Sequence, residues 1–303
     1  MTSGIHEHAT ESDNKCFGDS NDLNIGVSRM SNGAIPLKLL VIGAHPDDAE
    51  YRAGGLASLY KRIGHAVKFI SVTNGEAGHQ RDFGPSLVER RREEARRATK
   101  LFGIETEVWD HPDGRLMPDL DRRGDVIRAI RAYQPDLVLT HRPNDYHPDH
   151  RAVSVLVQDA AYLLTVPAIC PDVPHLRRDP VIAYLSDDFR RPYPFEPTVV
   201  VDIAPVWEDK VTMLDAHASQ FYEWLPANMG RFADLPDAPD ERRAWLETVM
   251  REMTVKLADR HRTAIVSRYG EDHGSTLGLI EAFEGCEYGS PLDADAVARL
   301  FPF

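Results

Sequence analysis

Eleven residues, Thr140-His141-Arg142-Pro143-Asn144-Asp145-Tyr146-His147-Pro148-Asp149-His150, carry three histidines and two aspartates. A second group, Ala44-His45-Pro46-Asp47-Asp48-Ala49-Glu50, sets an imidazole beside two carboxylates. Imidazole nitrogen with carboxylate oxygen is a donor mixture that a borderline-soft ion such as zinc accepts. Three protein ligands with one position left for water make a catalytic site rather than a structural one. Of two adjacent aspartates, one can hold the metal while the other stays free to carry a proton. Helix capping is the competing use: Asp47, Asp48 and Asp149 suit N-caps, and Pro46 and Pro148 suit a first helical turn. Capping alone does not explain why a His-Pro-Asp group appears twice, so the two groups are read as halves of one catalytic metal site.

The elements that must position them alternate between strand and helix. Leu37 to Ala44 reads as a buried strand and Glu50 to Ile63 as a helix, with Gly64-His65 turning into a strand from Ala66 to Thr73. A loop with Gly75, Gly78 and Gly84 leads to a charged helix from Ser86 to Phe102, ended by Gly103. Strand Glu105–Trp109, helix Arg122–Tyr133, strand Asp136–Thr140 and helix Arg151–Leu164 follow. This succession predicts a Rossmann-like α/β fold, with a mostly parallel sheet covered by helices on both faces. Both histidine groups then lie at C-terminal strand ends, on the rim where open α/β sheets bind ligands. Beyond Val166 the pattern loosens among prolines, with strands at Val181–Leu185 and Thr198–Ile203 and helices at Val206–Ser219 and Asp240–Arg260. One domain over residues 37–303 is expected, preceded by a flexible extension over residues 1–36 rich in Ser, Asn, Asp and Gly.

Composition narrows the function classes. A chain of 303 residues, 42% hydrophobic and 27% charged, can bury a substantial core. Its formal net charge of −13 argues against a nucleic-acid partner, which needs a basic patch. No apolar stretch approaches the ~20 residues of a membrane span, and the N-terminal segment lacks the apolar core of a signal peptide. Cys16, Cys170 and Cys286 form no CxxC pair and suggest a reducing compartment. A soluble cytoplasmic enzyme without membrane insertion is expected, and a homo-oligomer is compatible with this composition.

The chain resembles the PIG-L/LmbE-type deacetylases, metal-dependent enzymes that remove acetyl groups from N-acetylglucosamine-containing molecules. The resemblance rests on Ala44 to Glu50 with Gly54-Gly55, Thr73-Asn74-Gly75-Glu76-Ala77-Gly78, and Arg91, Glu94, Ala98 and Gly103. It continues through Pro112-Asp113-Gly114-Arg115-Leu116, His147-Pro148-Asp149-His150, Lys210 to Gln220, and Glu281-Ala282-Phe283. It implies His45, Asp48 and His150 as metal ligands, binding zinc, with ferrous iron as the alternative that the same ligand set permits. Asp47 is then the general base on the metal-bound water and the acid toward the leaving amine. His147, as an imidazolium, stabilises the oxyanion, with Asp149 orienting it. Arg91 is expected to anchor substrate and Asp145 to lie near it.

The substrate implied is a small amino-sugar conjugate. A metal-dependent amidase for another N-acyl group is the alternative, and a non-catalytic sugar-binding module a further one. The free carboxylate of Asp47 argues against the last. His79, His111, His141 and His217 are left off the catalytic list. Arg52 departs from the family, which commonly has Gly there, as does Leu56, where Thr is common. The segment from Trp224 to Pro239, or the loop from Asn74 to Pro85, is expected to form a specificity-setting lid.

Overall fold

In the computed structural model, which describes residue 1, residues 35–231 and residues 234–303, the alternating segments assemble into one seven-stranded sheet. The expected extension over residues 1–36 falls almost wholly outside the described residues. The first half contains β1 (Lys38–Gly43), α1 (Asp48–Arg62), β2 (Ala66–Thr73), α2 (Pro85–Lys100), β3 (Glu105–His111), α3 (Leu120–Tyr133), β4 (Leu137–Thr140) and α4 (Pro148–Ala161). The second contains β5 (Val181–Leu185), β6 (Val199–Asp202), α5 (Trp207–Asp215), α6 (Leu225–Asn228), α7 (Pro239–Arg260), α8 (Arg262–Tyr269), α9 (Glu271–Gly274), β7 (Ile280–Gly289) and α10 (Ala294–Leu300).

Strand order is β3-β2-β1-β4-β5-β7-β6, and only β7 runs against its neighbours. Side chains of a strand alternate between faces, and β1 shows the consequence. Leu39 and Val41 join one core with Ala53, Leu56 and Tyr60 of α1 and residues of α5 and α7. Leu40 and Ile42 join another with Ile127 of α3 and Val153 and Leu156 of α4. A strand apolar on both faces requires that two-sided cover. The mostly parallel, doubly covered sheet expected from the sequence is therefore observed.

The chain leaves β1 toward β2 and β3, then returns to the other side of β1 as β4. The C-terminal ends of β1 and β4 thus flank the point where strand order reverses, where a crevice opens between the connections. β4 pairs in register with β1 from Leu39↔Leu137 to Ile42↔Thr140. That pairing brings Ala44–Asp48 and His141–His150 side by side.

Three departures from the expected elements matter. α4 starts at Pro148 rather than Arg151, because His147 caps it: its Nδ1 accepts the Asp149 backbone N–H at 3.2 Å. α5 stops at Asp215 rather than Ser219, and Ser219–Trp224 forms a π-helical turn. Glu94 holds that turn, accepting from Ser219 N at 3.0 Å and Ser219 Oγ at 2.6 Å.

The third departure, β7, was not anticipated, since its Glu281, Glu284 and Gly285 interrupt any apolar run. Buried Glu281 is satisfied by Lys210 Nζ at 2.6 Å and by the N–H groups of Gly55 and Leu56 at 2.9 and 2.8 Å. Gly55 permits this approach, since a Cβ there would sit 2.5 Å from Ile203 Cγ2.

Candidate metal centre and active site

The turn after β1 is locked by Asp48, whose Oδ2 accepts the backbone N–H groups of Ala44 at 2.9 Å and His45 at 2.7 Å. This aims His45 and Asp48 at the same space that His150 enters from the first turn of α4. His45 Nδ1 lies 3.3 Å from His150 Nε2 and 3.5 Å from Asp48 Oδ2, and His150 Nε2 lies 3.5 Å from Asp48 Oδ1. A tetrahedral ion with bonds of roughly 2.0–2.1 Å holds its donors about 3.3–3.4 Å apart. His45 Nδ1 and His150 Nε2 stand at that spacing, and Asp48 faces the two through different carboxylate oxygens.

The nitrogens facing away from this triangle meet carboxylates. His150 Nδ1 is 2.9 Å from Asp145 Oδ1, and His45 Nε2 is 3.0 Å from Asp113 Oδ1 and 3.4 Å from Asp149 Oδ2. A carboxylate behind a histidine fixes its tautomer and ring orientation and raises its basicity as a ligand. Burial works to lower the His45 pKa, yet Asp113, Asp149 and Asp48 hold that imidazole well above its ordinary range. Burial would raise Asp48, but His150 and His141 hold it well below its ordinary range. Burial and the neighbouring His141 push His150 down to about 4, which leaves its imidazole neutral and able to accept a ligand bond. His141 closes it from below, stacked on His150 with ring centroids 3.8 Å apart and Nε2 at 3.2 Å from Asp48 Oδ2.

Beside the triangle, Asp47 has φ 153° and ψ −21°, a conformation that L residues rarely adopt and that clusters at functional sites. It is held by Asp47 N donating to His45 O at 3.0 Å and by Tyr51 N donating to Asp47 O at 2.9 Å. Arg91 holds its carboxylate, with Nη2 at 3.3 Å from Oδ1. Burial pushes Asp47 up to about 6, with Arg91 pulling it down and Asp48 pushing it further up. A carboxyl group near 6 can both take and return a proton around neutrality.

The other expected site residues are held by specific neighbours. Arg91 lines the cavity but is 2% exposed, and it donates to Pro46 O at 3.0 Å and Gly75 O at 3.3 Å besides facing Asp47. Those contacts tie it to the Asp47 turn. Gly75, at φ 72°, leaves it room, since a Cβ there would lie 2.6 Å from Arg91 Nη1. Asp145 is buried behind His150, whose Nδ1 it meets at 2.9 Å, and also accepts His147 N at 3.0 Å.

Asp149 does not orient His147 through its carboxylate. That group accepts Gly114 N at 2.7 Å and Leu116 N at 3.2 Å and faces His45 instead. His147 is held below its ordinary pKa by burial and by the neighbouring His45, which favours a neutral ring over an imidazolium. With Nδ1 accepting Asp149 N, the neutral ring carries its proton on Nε2. Asp113 was missed as a site residue, although Pro112-Asp113-Gly114, directly after β3, could have pointed to it.

A cavity of about 420 Å³ opens over this cluster. Its floor includes His45, Asp47, Asp48 and His147, and its walls include Tyr51, Arg52, Gln220, Phe221, Trp224 and Met250. Both expected lid segments reach it, through Ala77 and Gly78 on one side and Trp224 to Arg231 on the other. They are fastened together. His79 Nδ1 accepts the N–H groups of Arg81 and Asp82 at 3.2 and 2.9 Å, leaving Nε2 to donate to Glu223 Oε2 at 2.9 Å. Arg90 binds the same carboxylate, its Nη1 donating to Oε2 at 3.0 Å and its Nη2 to Oε1.

Residues 40–161 match the family described as PIG-L: GlcNAc-PI de-N-acetylase. A Bacillus cereus protein, probable N-acetyl-alpha-D-glucosaminyl L-malate deacetylase 2, is 30% identical over 60% of this chain and 83% of its own. The chain belongs to the PIG-L/LmbE-type deacetylase family. It is, as its sequence led one to expect, an enzyme of the hydrolytic N-deacetylase class. A Pseudomonas putida 4-oxalmesaconate hydratase is 28% identical over 61% of this chain and 74% of its own. The fold is shared with N,N'-diacetylchitobiose deacetylase from Pyrococcus horikoshii, at TM-score 0.63 and 22% identity over 82% of this chain and 83% of that one. No helix among the described residues is long and apolar enough to cross a membrane.

Proposed function

We propose that this enzyme is a zinc-dependent hydrolase that removes the N-acetyl group of a small N-acetylglucosamine-type conjugate in the cytoplasm. The observation carrying this reading is the group of His45, Asp48 and His150 donors with the carboxyl group of Asp47, held by Arg91, beside it. The triangle would hold the ion; ferrous iron is the other metal its donors suit. When bound, the metal supplies Lewis acidity and lowers the pKa of water.

Asp47 takes the proton of the attacking water and returns it to the departing amine. Arg91 and the strained turn keep its carboxylate aimed at the cavity floor. His147 Nε2–H donates to the carbonyl oxygen as negative charge develops there. Asp145, Asp113 and Asp149 keep the two ligand histidines in place. The Bacillus relative, named for a glucosaminyl malate, supports an amino-sugar conjugate as the substrate class.

Metal analysis combined with amine release from a panel of N-acetylglucosamine conjugates tests this. Asp47→Ala should keep its metal and lose hydrolysis by about 10²- to 10⁴-fold, the usual contribution of proton transfer. Full activity in that variant would remove Asp47 from the mechanism, and loss of metal would make it a ligand.

A further inference from the structure

We propose that Arg52 is a specificity residue that receives an oxyanion, a carboxylate or phosphate, carried on the aglycone of the substrate. The inference rests on the deacetylase reading for the identity of the reacting group. It names what the rest of the cavity binds.

Arg52 follows Asp48 by four residues on α1, so its side chain rises from the same helix face about 6 Å further along the axis. It lines the cavity, with its guanidinium stacked over the Tyr51 ring at 4.6 Å. The other two arginines of the wall are paired, Arg91 with Asp47 at 3.3 Å and Arg231 with Asp234 at 3.1 Å. Arg52 makes no hydrogen bond or ion pair among the described residues.

The carboxylates whose charge reaches it are Asp145, Asp188 and Asp48, and each is engaged elsewhere. Asp145 holds His150, Asp188 pairs with Arg260, and Asp48 belongs to the donor triangle. A half-buried guanidinium facing a cavity without a counter-ion is a ready partner for a bidentate oxyanion.

Size and lining assign the oxyanion to the amine side of the scissile bond. Pockets of roughly 300–1,000 Å³ hold ligands of drug size, and an acetyl group fills little of 420 Å³. Most of the remaining wall is apolar, formed by Trp224, Leu225, Met229, Trp245, Met250 and Met253, with the amides of Gln220 and Asn228 among them. It suits an aryl or alkyl aglycone whose charged end turns back to Arg52. Trp245 Nε1 is a buried donor without a hydrogen-bond partner among the described residues, a second polar point on this wall.

The test uses 4-carboxyphenyl, 4-phosphophenyl and 4-carbamoylphenyl 2-acetamido-2-deoxyglucosides with the metal-loaded wild-type, Arg52→Gln and Arg52→Lys proteins. The wild type should prefer one anionic probe over the neutral carbamoyl probe in kcat/KM by about 10- to 100-fold, the range of a charge-assisted contact. That preference should fall toward unity in Arg52→Gln, mainly through KM, and partly return in Arg52→Lys. Equal kcat/KM for all three probes in the wild type, or an anion preference that survives Arg52→Gln, would overturn the proposal.

Thermal melting of the variants separates misfolding from lost recognition. Calorimetric binding of the same probes reads the Arg52 contact even if no amine is released. Binding without hydrolysis would count against the deacetylase reading alone.

Discussion

Asp145 and Asp113 offer no atom to the proposed metal position, but they contact the outward nitrogens of the two histidines that would hold the ion. Each stands behind a ligand histidine, at 2.9 Å from His150 Nδ1 and 3.0 Å from His45 Nε2. Asp145→Asn should therefore lower metal affinity by about 10- to 100-fold, the usual effect of losing a carboxylate behind a ligand histidine. Competition against a chromophoric chelator measures this, and unchanged affinity would leave Asp145 a purely structural role.

A different histidine sets a pH dependence of stability. His65 Nδ1 accepts Leu37 N at 3.3 Å, and burial holds its pKa below the ordinary 6.5. The unfolded chain then takes up the proton first, so the stabilisation is complete above 6.5 and is lost as pH falls through the lower folded value. Melting curves at stepped pH should show a shallower acid-side loss in His65→Gln than in the wild type. Identical slopes in the two proteins would refute this.

At the scale of elements, the site depends on how α1 is seated on the sheet. Glu281 of β7 accepts N–H groups from Gly55 and Leu56 in the middle of α1, and Lys210 of α5 neutralises it at 2.6 Å. Both side chains are buried, at 5% exposure for Lys210 and 2% for Glu281. Removing one member of a buried pair leaves an uncompensated charge. Lys210→Met should therefore cost about 3–5 kcal/mol in denaturant unfolding. A loss below about 1 kcal/mol, the level of an exposed pair, would show the pair to be solvated.

The strands and helices up to α4 were legible from the sequence, because β1 and β4 are nearly continuous apolar runs, β2 is apolar apart from Lys68, Ser71 and Thr73, and the helices between them are long. β7 was not legible, since Glu281 reads as surface until Lys210, Gly55 and Leu56 supply its partners, and Glu284 until Arg142 meets it. The end of α5 was also misread, because its break is set by Glu94 taking hold of Ser219 rather than by any local stop signal.

For the molecule as a whole, the donor triangle links α1 to α4 across the β1/β4 crevice, so an ion bound there fastens elements that are distant in sequence. Metal should therefore raise global stability by mass action, about 2.7 kcal/mol at a free concentration of 100 Kd. Chelated protein should melt at a lower temperature than metal-loaded protein, and Asp48→Asn should abolish most of that difference. Equal melting temperatures with and without metal would place the ion elsewhere.

The sequence by itself determined the two halves of this site, His45–Asp48 and His147–His150, together with the parallel sheet that carries them. Both are local patterns, a strand end and the turn that follows. Tertiary structure alone decided which carboxylate faces which histidine, that Arg91 grips the Asp47 turn, that burial and His45 lower the His147 pKa, and that Arg52 faces a cavity walled by Trp224 to Met253. These are contacts between segments far apart along the chain. Only packing sets their distances, and burial sets the protonation states that follow from them.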